Sequence, residues 1–393
     1  MIPLAKPSLT DKEEQSVTSV IRSGWVTQGP KVEEFEKKFA SIVGSKHAVA
    51  VSNCTSGLHL ALKALGVGSN DEVITASHSY IATSNSIRYC DAIPCFVDIQ
   101  NDSFNLCPKL VESAITEKTK AILCVHQMGM PCDISSLKII SKKYDLPLVE
   151  DAACAIGSKL LYNNKWENIG KPHGEIAVFS FHPRKIITTG DGGMITTNSD
   201  NLAEKFRLWR QHSMGISDFK RHEKKTVAYE KYSEIGYNYR LTDIQAAIGT
   251  EQLKRLDDIV LKRRKLADHY SKLLKDTRGI TTPKEGLNNR SNWQSYCVRI
   301  NEELNTKEIM QKLLDDGISS RRGIMCSHLE PAYKTEPYSW TGKHSDQPLN
   351  LFESERARNH SLILPLYYDL SFDEVQNICC SLLKIVSACK FLK

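Results

Sequence analysis

From Ala48 onward the chain alternates short, almost wholly apolar runs with helix-like segments, and this rhythm limits the fold more than any other feature. Residues 48–51, 72–75, 94–99, 121–125 and 147–150 read as strands, and residues 56–65, 81–90, 108–115 and 134–143 as the helices between them. Strands this apolar must be covered on both faces, and crossover helices do that, so the pattern predicts a largely parallel sheet in an α/β core. Ligands of such sheets gather at the carboxyl ends of the strands. The residues that follow each apolar run are therefore the ones to inspect for chemistry.

The flanks fit around this core. A helix is expected from Thr10–Asp11 to Ser23–Gly24, where Thr10 or Asp11 can cap it and acidic residues suit its N-terminal dipole. A loop through Trp25 and Pro30 leads to a second helix from Val32, with Phe35, Phe39 and Ile42 at helical spacing. Beyond the core come strands at 178–181 and 194–197 and a helix at 201–210. A charged tract at 220–231 then reads as a surface excursion, and one long helical pattern runs past Asp243 through Leu266. The remainder, with a strand at 296–300 and helices at 306–316 and 372–383, is a shorter α+β segment. A chain of 393 residues is long for one core, so a large domain at 1–250 and a small one at 251–393 are expected.

Charge and cysteine usage narrow the class. The 52 basic residues exceed the 46 acidic ones by only 6 and are spread out, which argues against nucleic acid as a partner. Twelve cysteines without a C-x-x-C pair point to free thiols in a reducing cytoplasm, and no metal is expected. No apolar run approaches the roughly eighteen residues that a membrane span needs. Gly66-Val67-Gly68 follows a helix and leads into a strand, the reverse of the order in a dinucleotide fingerprint, so Gly66 reads as a helix C-cap.

Three strand ends carry the chemistry. After Val51 the chain reads Ser52-Asn53-Cys54-Thr55-Ser56-Gly57, small polar residues entering a helix, as a phosphate requires. After Val149-Glu150 comes Asp151-Ala152-Ala153, a carboxylate followed by residues small enough to admit a flat ligand. Lys185 stands 34 positions later, between an apolar run and the turn Gly190-Asp191-Gly192-Gly193. Apolar neighbours and the like charge of Arg184 are expected to lower its pKa, as Schiff-base chemistry demands. A phosphate cradle, an acid for a pyridine nitrogen and a nucleophilic lysine together are what pyridoxal phosphate requires.

The chain then resembles the DegT/DnrJ/EryC1/StrS family of sugar aminotransferases, within the aspartate aminotransferase-like fold type I. The likeness runs through residues 24–30 (GWVTQGP), 54–62 (CTSGLHLAL), 80–85 (YIATSN), 150–153 (EDAA), the lysine stretch and 236–247 (GYNYRLTDIQAA). It is looser in the last third, at Arg321-Arg322-Gly323 and His328-Leu329-Glu330-Pro331. The resemblance implies that Lys185 forms the Schiff base and Asp151 keeps the pyridine nitrogen protonated. It implies phosphate contacts from Thr55, Ser56 and Ser180, an aromatic ring over the cofactor from Tyr80, and Asn238 reaching the phosphate from the neighbouring subunit of a homodimer with shared sites. Trp25, Thr27, Arg240, Arg322 and His328 are the substrate candidates, with Arg321 beside them.

The reaction so implied moves an amino group from an amino acid, expected to be glutamate, through pyridoxamine phosphate to a keto group of a nucleotide-linked deoxysugar. One departure is Cys154, where the family commonly has Gln, His or Glu, and a thiol cannot make the same hydrogen bonds. A dehydratase branch of the fold has His at the lysine position, so Lys185 argues against it. A cyclitol aminotransferase is compatible with the same motifs, and a catalytically silent regulatory protein is the reading from another class.

Overall fold

The computed structural model describes residues 1–215, 229–340 and 351–388; most of the charged tract, residues 220–228, lies outside them. Strands β1 (His47–Val51), β2 (Glu72–Ala76), β3 (Ile93–Val97), β4 (Thr119–Val125) and β5 (Leu148–Asp151) follow one another through helical crossovers. A hairpin of β6 (Lys159–Tyr162) and β7 (Lys165–Asn168) then precedes β8 (Ile176–Ser180) and β9 (Gly193–Thr197). The main sheet has the order β1-β9-β8-β5-β4-β2-β3, and the short strand Ser339–Trp340 pairs parallel with β3 at its edge. Only β9 runs against its neighbours among these strands, so the sheet is mostly parallel, and β1, β2, β4, β5 and β8 end on one edge. Every residue of β2 and β9 is buried, as expected of strands covered on both faces.

Helix α1 (Asp11–Ser23) has the expected Thr10 cap, closed into a capping box by Glu13, and ends at Gly24 with φ of 75°. Helix α2 (Pro30–Val43) begins at Pro30, two residues before the apolar pattern does, because proline suits the first helical position. Its Phe35 and Phe39 pack on Phe181 and Phe179, with ring centroids 5.3 and 5.0 Å apart. The same rings that bury α2 thus fix the end of β8, a few residues before Lys185. Helix α3 (Cys54–Ala64) follows β1, and α4 (Ala82–Arg88) follows β2.

The single long helix expected after Asp243 is two helices, Asp243–Lys254 and Leu256–Leu273. Arg255 breaks them with φ −106° and ψ 2°, held there by hydrogen bonds from its guanidinium to Ser8. A second apolar core gathers Leu266, Tyr270, Tyr296, Val298, Leu364 and Leu382 around a four-stranded antiparallel sheet of Ile280–Thr281, Tyr296–Ile300, Ser361–Leu364 and Arg321–Arg322. The N-terminus joins it, with Ile2 bonded through its backbone to Gly317 and Ser319. No helix among the described residues is long and apolar enough to cross a membrane.

Candidate active site

At the common edge where β1, β2, β5 and β8 end lies a cavity of about 600 Å³. The β1–α3 junction supplies one wall. Asn53 caps α3, its Oδ1 accepting the Ser56 amide at 2.8 Å, and Thr55 and Ser56 line the cavity at the positive end of the helix dipole. Ser180, the last residue of β8, stands in the same cavity.

Asp151 closes the opposite wall. Strand alternation turns it into the cavity and Glu150 away, toward His126 Nε2 at 3.0 Å. The Asp151 carboxylate is 4% exposed. Its Oδ2 accepts from Thr83 Oγ1 at 2.8 Å and its Oδ1 from the Ala153 amide at 3.1 Å. Burial raises the Asp151 pKa, and Thr83, Ala153 and Lys185 offset that only in part. The Cys54 thiol stands 4.0 Å from Oδ1, and burial pushes it well above the ordinary thiol range.

Lys185 projects from the β8–β9 loop. That loop is tied by Phe181 N to Gly192 O at 2.8 Å, Thr189 N to Phe181 O at 3.0 Å and Lys185 N to His182 O at 2.8 Å. The glycines of its turn have distinct work. Gly190 takes φ of +83°, and a Cβ on Gly193 would stand 2.6 Å from the Asn53 carbonyl carbon, so β9 can start against the α3 cap only with glycine there. Nζ of Lys185 lies 3.2 Å from Cys154 Sγ.

The expected lowering of the lysine pKa is corrected. Burial does pull it down, but the Cys154 and Cys54 sulfurs and the Asp151 carboxylate hold it above the ordinary lysine value, while Arg184 is exposed.

Thr55, Ser56, Tyr80, Asp151, Ser180 and Lys185 therefore share one cavity, with Tyr80 at the mouth and 56% exposed. Of the remaining candidates Arg321 also lines it, whereas Trp25, Thr27, Asn238, Arg240, Arg322 and His328 do not. Trp25 Nε1 donates to Gln28 O, and Thr27 O accepts the Asp243 amide, so both belong to the α1–α2 loop. Asn238 is exposed and its backbone bridges to Gln211. Arg240 follows Tyr239, which does line the cavity. Arg321 faces the cavity, whereas its strand neighbour Arg322 turns to Glu330 at 3.6 Å.

His328 is held from both sides. Its Nε2 donates to Glu355 at 3.3 Å, and Nδ1 pairs with Ser77 Oγ at 2.6 Å. Burial lowers its pKa. The sequence reading missed Thr83 and Cys54 as neighbours of Asp151, although both stand inside the quoted motifs, because the fold alone brings them to the acid.

The class follows from the sheet and its edge: an α/β aminotransferase fold with amine, carboxylate and helix N-terminus around one cavity. The chain belongs to the DegT/DnrJ/EryC1/StrS aminotransferase family, whose model matches residues 7–383. It is 35% identical over 381 residues to the spore coat polysaccharide biosynthesis protein SpsC of Bacillus subtilis, covering 96% of this chain and 95% of that one. Among solved structures it is similar to Helicobacter pylori PseC, an aminotransferase involved in the biosynthesis of pseudoaminic acid, with TM-score 0.88, 29% identity and 99% and 100% of the two chains covered. The sugar aminotransferase homologue Spr1654 of Streptococcus pneumoniae, in its PMP form, superposes with TM-score 0.89 at 28% identity, over 98% and 99% of the chains.

Proposed function

We propose that this chain is a pyridoxal phosphate-dependent aminotransferase that moves an amino group from L-glutamate to the keto group of a nucleotide-linked 4-keto-6-deoxy sugar, in the making of surface glycans. The observation that carries the reading is the meeting of Lys185, Asp151 and the α3 N-terminus in one cavity. The cofactor's three recognisable parts find partners there. A buried carboxylate whose pKa burial has raised gains from a cation, which a protonated pyridine nitrogen supplies. Thr55, Ser56 and Ser180 suit the phosphate, and Tyr80 at the mouth suits the ring face.

Bound pyridoxal phosphate supplies an electron sink for the carbon that loses its proton. Asp151 holds that sink in its protonated form. Lys185 Nζ would hold the cofactor at its carbonyl carbon and, when free, would be the base that moves the proton. Because its pKa is raised, the lysine must first give up a proton, and Cys154 Sγ stands 3.2 Å from it.

Arg184 and Arg321 both line the cavity, and burial, joined by the charge of Arg184, lowers the Arg321 pKa, so an anionic diphosphate beside it relieves Arg321. This reading prefers Arg321 to Arg322 as a substrate contact. Trp25, Thr27 and Asn238, outside this chain's own cavity, serve the site of a second copy. The exposed apolar side chains of Tyr232 and Ile235, at 62% and 87%, support a covered face beside Asn238. Free thiols throughout the described residues suit the cytoplasm.

The test is direct. The purified chain with pyridoxal phosphate is expected to show the visible band of lysine-bound cofactor and to aminate a nucleotide-linked 4-keto sugar with glutamate, the amine being located in the product. An unchanged spectrum in Lys185→Ala would sink the lysine assignment.

A further inference from the structure

Cys154 and Lys185 form a thiol–amine contact whose geometry has chemistry of its own. Sγ and Nζ are 3.2 Å apart, both residues are half-buried, and both line the cavity, so a small oxidant can reach them. The thiolate is the form of a cysteine that attacks peroxides. Cys54, the other cysteine of the cavity, is less accessible and differently placed. It is 8% exposed and its thiol is turned to Asp151 and to Val178 O.

We infer that Cys154 and Lys185 are a site of oxidative modification, in which hydrogen peroxide drives formation of a sulfur–nitrogen bond between them. In the first step the Cys154 thiolate attacks the peroxide oxygen. The S–O bond forms, the O–O bond breaks, and the departing hydroxide takes a proton from the Lys185 ammonium to leave as water. The sulfur has lost two electrons to the peroxide, and the lysine is now a neutral amine beside a sulfenic acid. In the second step Nζ attacks the sulfur, the S–O bond breaks, and the leaving hydroxide carries off the proton lost by nitrogen as a second water. The product is a sulfenamide joining the two side chains.

Sulfenic acids condense with nitrogen in this way when a nucleophile is held close, and here the nitrogen is already in contact. A thiol reductant reverses the bond, first by attack on sulfur to give a mixed disulfide and free Lys185, then by a second thiol that releases Cys154. The bond depends on the contact alone. Its consequence for turnover rests on the proposed role of Lys185, since a lysine tied to sulfur cannot hold the cofactor.

Hydrogen peroxide titrated into the purified full-length chain, without added cofactor, is expected to lower the intact mass by about 2 Da and to yield one peptide pair joined through Cys154 and Lys185. Dithiothreitol restores the original mass and both peptides. Cys54→Ser keeps the change, Cys154→Ser abolishes it, and Lys185→Ala leaves a sulfenic acid at Cys154 that a dione probe captures. A link from Cys154 to Cys54, or oxidation of Cys154 to sulfinic acid with Lys185 still free, would overturn the proposal. The mass reads the bond whatever Lys185 does in catalysis, so a failure of the aminotransferase reading is told apart by the cofactor spectrum.

Discussion

The surroundings of Asp151 oppose its ionisation. Burial raises its pKa, and the 2.8 Å bond from Thr83 Oγ1 is the foremost of the interactions that lower it again. Thr83 is itself 1% exposed and is oriented by Ser79 Oγ at 2.8 Å. A hydrogen bond to a charged group contributes about 1.5–3 kcal/mol, so Thr83→Val is expected to lower kcat about tenfold or more. Its sign with pH is fixed. The carboxylate is the working form, activity falls as pH drops through its pKa, and loss of Thr83 raises that pKa; the acid limb of the kcat profile therefore moves to higher pH. Thr83→Ser keeps the hydroxyl and should restore both rate and limb, whereas a profile that stays in place in Thr83→Val would remove Thr83 from the mechanism. At this scale the sequence showed Lys185 and Asp151 because each follows an apolar strand, where a charged residue stands out. It could not show Thr83 on Asp151, which are 68 positions apart, nor the sulfur contact that reverses the expected shift of the lysine.

The elements that build the site depend on contacts made far along the chain. Gly29, the N-cap of α2, has no side chain to offer, and the carboxylate of Asp243 does that work. Its Oδ1 accepts the amides of Gly29 at 2.8 Å and Val32 at 3.0 Å, and its Oδ2 that of Lys31 at 3.1 Å. Asp243 opens its own helix from inside the Thr242 capping box, so one residue starts two helices. Asp243→Ala leaves three donors without an acceptor and is expected to cost at least about 2 kcal/mol, read as a fall in the urea midpoint. Asp243→Asn, which keeps one oxygen, should lose less. Gly193→Ala tests the opposite wall: a Cβ 2.6 Å from the Asn53 carbonyl carbon forces β9 and the α3 cap apart, at about 1–3 kcal/mol and with weaker cofactor retention in equilibrium dialysis. An ordinary melting temperature and full retention would refute the close-approach argument. Apolar periodicity marked α2 and β9 but not their partners, because a cap more than 200 positions away carries no local signal. Periodicity also ran straight through Arg255, since both helices keep one apolar face while tertiary bonds to Ser8 supply the break.

On the scale of the whole molecule, the cavity of one chain gathers the groups proposed for the cofactor, while Asn238, Trp25 and Thr27 stand elsewhere. If a second copy brings Asn238 to the site, then each site draws Lys185 from one chain and Asn238 from the other. In a dimer of Lys185→Ala with Asn238→Ala, one site carries both defects and the other neither. Equal mixing with free exchange makes half of the dimers mixed, each with one intact site, so about a quarter of wild-type activity is expected. Each parent alone should stay far below that, which a stepwise titration of one variant into the other would show as a maximum at equal amounts. Subunit exchange, followed independently by native mass spectrometry of differently tagged chains, has to accompany the assay. Mixed dimers that form without any gain in activity would mean that Asn238 serves its own chain. The exposed Tyr232 and Ile235 give the same arrangement a second handle: Ile235→Asp, 87% exposed and remote from Lys185 in sequence, is expected to shift the chain toward monomer in sedimentation and to lower activity in step. Monomers that keep full activity would separate the covered face from the shared site.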